Sequence, residues 1–447
     1  MKKIILLTVL LFVTVQFTVA QNTIAKLKFE EAEEAFIKEE YEITLTKLEE
    51  AEKLFGKINP PMLYLRVISQ NKLTGINPHS NFKLLQSLRK NCEFYLAEYA
   101  SLSDIEDKYK EVYLISESLK IYSDNQNFFT ARSYYYGTDG MAIDFVKAKS
   151  FCDIAISEGD AAALNLMGFM YKSGNGVEKD FKKAIECFQK SADKGNVFGL
   201  NSLGAEYHGG ETLPKDLTKA FNLYQQAAKK GHSQAMQQLG VFYYHGTGTD
   251  KDYGKALEYF MKAAEKKQSK AMEYLGYIYL NGFGVTIDAN KALDYFKKAA
   301  TNGSNYSFFN LGWMYFHGKG VTQSFDVALQ WFLKGAEKNQ LDCIIGVADS
   351  YYSLKNYSKS LEWYIKAADK GNVRSMTVLG YQYFEGLGVA KDYNKAAEYY
   401  TKAAENGEVE CMQTLVYIYK EGTYGMKRNK PLAIEWQAKY NAAKAKK

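Results

Sequence analysis

Residues 161–196 read AAALNLMGFMYKSGNGVEKDFKKAIECFQKSADKGN, and this stretch decides the fold because the chain repeats it. Further copies follow at intervals of 36 residues, except that one of them is four residues shorter. A fixed period of this length is typical of a solenoid or a repeat array. The later copies begin at Val197, Ser233, Ser269, Asn305, Leu341 (the short copy), Val373 and Val409.

The first half of each copy has an apolar stripe with a glycine at position 8 and a tyrosine at position 11, counted from its first residue. Together with apolar positions 4 and 7, these residues predict an amphipathic helix, helix A. A glycine inside a helix costs about 1 kcal/mol relative to alanine. Its recurrence therefore predicts that the backbone of a neighbouring helix comes too close for a side chain. These glycines are Gly168, Gly204, Gly240, Gly276, Gly312 and Gly380.

In five copies the second half begins with a G-x-G turn, such as Gly174 and Gly176. One glycine can take the left-handed conformation that ends a helix, and the other lets the chain turn back. An aspartate at position 20, such as Asp180, then predicts the N-cap of a second helix, helix B. Helix B carries an aromatic residue at position 28 among alanines, so small residues face large ones in a stack of hairpins.

This combination resembles the Sel1-like repeat, a relative of the tetratricopeptide repeat with a longer turn between its helices. The resemblance extends from Asn125 to about Ala443. It implies an all-α fold, a right-handed α-solenoid of stacked helix-turn-helix repeats. Members of that family serve as adaptors or scaffolds for other proteins, and the motif implies neither catalytic activity nor a cofactor. The short copy at Leu341 lacks the G-x-G turn and has tetratricopeptide proportions, which should change the local superhelix.

The amino terminus is typical of a secretory signal peptide. Two lysines precede an apolar run, and small residues ending at Ala20 predict cleavage before Gln21. We therefore expect an exported protein of the bacterial periplasm or cell envelope, or a secreted one. An uncleaved membrane anchor is the alternative, although Gln16 and Thr18 interrupt the apolar run.

The sequence predicts three regions and one elongated body after the signal peptide. They are the signal peptide at 1–20, a helical tetratricopeptide-like region at 21–124, and a repeat solenoid with a C-terminal capping helix at 125–447. A net charge of +6 is too weak and too dispersed to imply nucleic acid. Lysines recur at positions 23 and 30, which predicts the solvated face of helix B. We expect a monomer without a further membrane span.

Neither the cysteines nor the histidines predict a reactive or metal site. Cys152 and Cys187 occupy helix B positions of adjacent copies, and a disulfide between these two stays open. Cys343 and Cys411 both stand at position 3, where other copies have small residues, which favours buried thiols. The five histidines form no His-x-x-x-His or His-Glu-x-x-His pair, so we expect solvated or capping histidines and no metal.

The better candidate for function is a surface. By analogy with tetratricopeptide repeats, positions 2, 5, 9, 12 and 13 of helix A line the concave side. They are rich in aromatic residues, with amides and a few charges, which suits an extended peptide or a glycan strand. The alternative is that positions 9 and 12 only pack between successive helices. We predict the centre around Trp313, Phe316 and Tyr352, beside the short turn. The predicted groove residues are Tyr244, Tyr277, Phe309, Trp313, Phe316, His317, Asp349, Tyr352, Tyr381 and Phe384.

The leading hypothesis is a non-catalytic scaffold that binds a protein or peptide partner in this groove. A cell-wall or β-lactam hydrolase and a secreted factor that acts on another cell are the alternatives. Two Ser-x-x-Lys matches, at Ser87 and Ser191, have no Lys-Thr-Gly partner and give the hydrolase little support.

Overall fold

The computed structural model describes residues 21–75, 81–102, 105–422 and 427–445. These residues form α-helices joined by turns and include no strand, which confirms the predicted all-α class. The predicted signal peptide lies outside them. No helix in the described part of the chain is both long and apolar enough to cross a membrane.

The chain forms two compact units, Met1–Asp252 and Tyr253–Lys447. The predicted division near residue 125 stays a prediction. The helices of the first unit are α1 (21–37), α2 (Tyr41–Phe55), α3 (Pro60–Thr74), α4 (Phe82–Glu98), α5 (Glu106–Leu119), α6 (Gln126–Tyr136), α7 (Phe145–Ser157), α8 (Ala161–Ser173), α9 (Phe181–Asp193), α10 (Val197–Gly209), α11 (Leu217–Lys229) and α12 (Ser233–His245).

Within the second unit each helix packs against the next one along the chain, and α6 to α12 of the first unit do the same. Helical hairpins therefore stack as the repeat pattern predicts. The helices of the second unit are α13 (Tyr253–Glu265), α14 (Ser269–Asn281), α15 (Ala289–Thr301), α16 (Tyr306–His317), α17 (Phe325–Glu337), α18 (Leu341–Ser353), α19 (Tyr357–Asp369), α20 (Val373–Glu385), α21 (Tyr393–Glu405), α22 (Val409–Glu421) and α23 (Lys430–Lys444).

The turn between the two helices of a repeat has the predicted chemistry. Gly174 ends α8 in the left-handed conformation, and its N–H donates to the carbonyl of Met170 at 2.8 Å. The Asp180 carboxylate then accepts from the backbone N–H of Lys183 at 3.0 Å and caps α9. The second glycine of the turn has a separate purpose: a Cβ on Gly388 would lie 2.3 Å from the carbonyl carbon of Tyr357. Each such turn thus rests on the start of helix B in the preceding repeat.

The glycine at position 8 packs against an aromatic ring. A Cβ on Gly168 would lie 2.4 Å from the ring of Phe188, and a Cβ on Gly276 would lie 2.5 Å from the ring of Phe296. The prediction of a close helix backbone at this position was therefore wrong in detail. The obstacle is the position 28 side chain of helix B in the same repeat, which fills the space that any side chain at position 8 would need.

Small residues also meet where helix B of one repeat packs against helix A of the next. A Cβ on Gly199 would lie 2.4 Å from the Ser191 hydroxyl oxygen, and a Cβ on Gly335 would lie 2.2 Å from Cys343 Sγ. In both of these pairs the larger residue faces a glycine. Cys343 is fully buried at this contact, as its register predicts.

All five cysteines lie within the described residues and are free thiols. Cys152 is fully buried, and its thiol donates to the carbonyl of Ala163 at 3.1 Å. Burial raises the pKa of Cys152 to about 12, so this thiol stays protonated at neutral pH. Its role is therefore structural.

The repeated lysines of helix B are held by neighbours in their own repeat. The Lys183 ammonium lies 5.6 Å from the centre of the Tyr171 ring and 3.5 Å from the carboxylate of Asp180. The equivalent Lys291 lies over Tyr279 at 5.2 Å. These lysines are solvated as predicted, and they lie over the ring of the tyrosine at position 11.

One histidine has the capping role expected from the sequence. His232 is 7% exposed, and its Nδ1 accepts from the backbone N–H of Ala235 at 3.2 Å, at the start of α12. Its ring packs edge-on against Phe198 with centres 5.0 Å apart. Only a neutral imidazole can accept this hydrogen bond. Burial lowers the pKa of His232 to about 4.

We predict that Gly335→Ala destabilises the chain by about 1–3 kcal/mol, because overpacking a fixed helix contact has a cost of this order. Cys343→Ala should rescue it, since the resulting alanine pair matches Ala263 and Ala271 at the same two positions of an earlier contact. Urea unfolding of the wild type, both single variants and the double variant measures the coupling. An equal cost of Gly335→Ala in both backgrounds would contradict the contact.

We predict that His232→Asn removes part of the acid sensitivity of stability. The unfolded histidine binds a proton below about pH 6.5 and the folded one only near pH 4, so stability falls as the pH falls through this range. Each pKa unit is worth about 1.4 kcal/mol, which gives a loss of about 3 kcal/mol by pH 4. Asparagine already caps α20 at Asn372 without titrating. Parallel curves of urea midpoint against pH for the two chains would disprove the role of His232.

Candidate functional site

A cavity of about 840 Å³ opens in the second unit. Its walls are the first helices of four consecutive repeats, α16, α18, α20 and α22. The aromatic rings of Phe332, Tyr364 and Tyr400 reach it from the second helices α17, α19 and α21. Its volume falls in the range of roughly 300–1,000 Å³ that is usual for ligand pockets.

Gly346 leaves one side of the cavity without a side chain. It stands at position 6 of the short copy, where the neighbouring first helices α16 and α20 carry Asn310 and Val378. A Cβ on Gly346 would lie 2.6 Å from the ring of Phe332. Gly346 therefore packs directly against this ring. Both residues line the cavity.

The structure brings seven of the ten predicted groove residues into this lining. They come from positions 5, 9, 12 and 13 of the first helices, and the predicted centre is among them. The cavity therefore lies beside the short turn, where the sequence predicts it. These seven residues are Phe309, Trp313, Phe316, His317, Asp349, Tyr352 and Tyr381.

The other three predicted residues lie elsewhere. The Tyr277 hydroxyl donates to Asn310 Oδ1 at 2.8 Å, and its ring packs edge-on against Phe296, as the packing alternative expected. Phe384 packs edge-on against Tyr393, with ring centres 5.3 Å apart. Tyr244 belongs to the first unit.

The sequence pattern did not identify the aromatic rings from the second helices, or the charged side chains, as part of the site. The rings of Phe332, Tyr364 and Tyr400 have the position 28 packing pattern, and nothing in that pattern signals a ligand. The charges at position 2 are Asp342, Arg374 and Glu410, and all three line the cavity. Position 2 belongs to the predicted concave face, so the alternation of charge on three successive first helices was a readable signal.

Asp349 is held in a fixed orientation by two partners. Its carboxylate accepts two hydrogen bonds from the Arg374 guanidinium, at 2.9 and 3.1 Å, and a third from the Tyr364 hydroxyl. Burial raises the pKa of Tyr364, and the negative charge of Asp349 raises it further. The guanidinium therefore offsets the Asp349 charge, and the network stiffens the wall between α18, α19 and α20.

Two other carboxylates of the lining, Asp342 and Glu410, are exposed. Neither forms an ion pair with any described residue of the chain. The lining thus has three carboxylates and one guanidinium, together with the exposed ring of His317. The cavity is locally acidic in a chain whose net charge is +6.

The polar groups of the cavity include a buried thiol and an exposed imidazole. The thiol of Cys411 lies 3.4 Å from the Thr377 hydroxyl, and burial raises its pKa, which opposes a reactive thiolate. The His317 ring packs against Trp313 with centres 4.8 Å apart. Among the residues that the structure describes, no group of three or more His, Cys, Asp or Glu side chains is placed to hold a metal ion.

Comparison with known proteins agrees with the repeat pattern. The family model described as Sel1 repeat matches nine segments of the chain. These segments are 127–160, 161–196, 197–232, 233–267, 269–304, 309–340, 349–372, 373–408 and 417–436.

Two solved structures are similar to this chain, while no curated protein matches it. A protective antigen of uropathogenic Escherichia coli with an SLR fold is 24% identical with a TM-score of 0.58, and the match covers 95% of this chain and 88% of that one. A Sel1 repeat protein from Oxalobacter formigenes is 26% identical with a TM-score of 0.46, over 62% of this chain and 97% of that one. The first likeness shows the fold alone. Because the nine matched segments make up well over half of the sequence, this protein belongs to the Sel1-repeat family.

Proposed function

We propose that this protein is a non-catalytic scaffold that binds an extended segment of a partner protein in the cavity of its second unit. Sel1-repeat proteins are generally scaffolds for protein interactions. The observation that carries the proposal is the lining itself, in which aromatic side chains from successive first helices converge on one open volume.

The composition of the lining supports a segment of protein as the ligand. Trp313, Phe316 and Tyr381 offer rigid rings, which provide contact area at a low cost in conformational entropy. Thr377 and Thr414 line the same cavity and donate their hydroxyl protons to carbonyls of their own helices, so their oxygens can accept from backbone N–H groups of an extended chain. The walls come from four consecutive repeats, which suits a ligand longer than one side chain.

The experiment selects ligands from a phage library of random 12-residue peptides, with the purified full chain as bait. We predict that Trp313→Ala combined with Phe316→Ala weakens the selected peptides by at least about thirtyfold, since buried aromatic anchors dominate interfaces. Tyr417→Ala is the matched control: Tyr417 occupies position 9 like Trp313, is 53% exposed and lies outside the cavity lining. It should change affinity less than about twofold.

Three results would count against this function. Equal binding by the double variant, with an unchanged circular dichroism spectrum, would exclude the cavity as the site. If the library yields no peptide and the chain binds glycan strands, the ligand is a glycan and not a segment of a protein. Turnover of a chromogenic β-lactam or of peptidoglycan by the purified chain would favour the hydrolase alternative.

We also propose that the protein works outside the cytoplasm, in the bacterial periplasm or cell envelope, and as a monomer. The support for export is the signal-peptide pattern of residues 1–20. We predict that the chain isolated from an exporting bacterium begins at Gln21, as measured by its intact mass and by N-terminal sequencing. A full-length chain that starts at Met1 and stays in the cytoplasmic fraction would contradict the export.

A further inference from the structure

We propose that the segment bound in this cavity is basic, with a lysine or arginine next to a large apolar residue. This inference rests on the proposed function of the cavity and adds the chemistry of its ligand. Its support is the charge of the lining, together with aromatic rings that no described lysine or arginine covers.

The charges of the lining favour a cation. Arg374 is committed to Asp349 by its two hydrogen bonds, so an anionic segment would have to break this pair to bind the guanidinium. Asp342 and Glu410 stand at the same position of α18 and α22, on helices that flank the Arg374 helix, and neither has an ion-pair partner among the described residues. A negative potential in a partly enclosed site attracts a positive ligand and repels a negative one.

The rings of the cavity lack the cations that cover other rings of this chain. On the second helices, the Lys334 ammonium lies 4.2 Å from the centre of the Trp331 ring, and the Lys366 ammonium lies 3.8 Å from that of Trp363. Within the described part of the chain, no lysine or arginine lies over the rings of Trp313, Tyr352 or Tyr381.

These rings, which no described lysine or arginine covers, lie in a cavity that also has carboxylates. Tyr352 and Tyr381 are close enough that Tyr381 adds to the effect of burial in raising the pKa of Tyr352. A cation over an aromatic face is stabilised most where water is partly excluded. A basic side chain from another molecule would therefore gain a ring face and a carboxylate in the same site.

The exposed lysines of a second copy of the chain are another source of such a cation. Some of them already have a carboxylate one turn away: Lys262 pairs with Glu258 at 2.6 Å, and Lys439 pairs with Glu435 at 2.7 Å. The exposed Lys297 has no ion pair with a described residue. The proposed occupant is a segment of a different protein, and a dimer of this chain is an outcome that the test distinguishes.

The test begins with the peptides selected from the random library. We expect enrichment of lysine or arginine beside an aromatic or large aliphatic residue. A synthetic peptide of this kind is compared with an analogue in which norleucine replaces lysine or citrulline replaces arginine. The neutral analogue should bind about tenfold more weakly at low salt, and the difference should shrink as the salt concentration rises.

Charge variants of the protein complete the test. Asp342→Asn combined with Glu410→Gln should weaken the basic peptide about tenfold and leave the neutral analogue within about twofold. Glu405→Gln is the matched control, an exposed carboxylate of α21 outside the cavity lining, and it should change neither affinity.

The outcomes separate the two proposals. Peptides that depend on Trp313 and Phe316 but carry no basic residue, or that bind as well when neutralised, would overturn the basic ligand and leave the scaffold function in place. Peptides whose affinity does not change when Trp313 and Phe316 are replaced would overturn both proposals. A concentration-dependent dimer of the purified chain that dissociates in the Glu410→Gln variant would identify a second copy as the occupant and also reject the proposal.

Discussion

Five repeats of this chain share a contact between a glycine backbone in the first helix and an aromatic ring in the second. In the repeat of α14 and α15, the ring of Phe296 fills the place of a side chain on Gly276, 2.5 Å from where its Cβ would lie. Burying such a ring gains roughly 1.5–3 kcal/mol, which offsets the cost of about 1 kcal/mol for a glycine inside a helix. In these repeats the glycine lets the ring pack against the backbone of the first helix.

The short copy moves this contact and so creates the site. Its position 8 holds Ala348, and its glycine stands two residues earlier, at Gly346. The ring that Gly346 meets belongs to Phe332 of the preceding repeat, which also packs against Gly312. Phe332 thus has a glycine on each side, and both its ring and Gly346 line the cavity. A departure from a repeat pattern is where function is expected, because the regular positions are occupied by packing.

The sequence predicts the regular parts of this fold well, because each of its signals has a local cause. The helix ends follow from Asp180 and Gly174, and the buried state of Cys343 follows from its register. The sequence does not reveal which group opposes each glycine, because helix spacing depends on side chains that are distant along the chain. Likewise, the pairing of Asp349 with Arg374 joins two repeats, and no pattern within one repeat encodes it.

The same dependence explains why equivalent aromatic residues differ in role. Tyr277, Trp313 and Tyr381 all stand at position 9 of their repeats. Tyr277 is drawn into the stack because position 6 of the next copy is Asn310, whose amide oxygen accepts its hydroxyl proton. For Trp313 the corresponding residue is Gly346, which offers no side chain, and the indole remains in the cavity lining. For Tyr277 and Trp313, the role of the ring at position 9 therefore depends on the residue at position 6 of the next copy as well as on the ring itself.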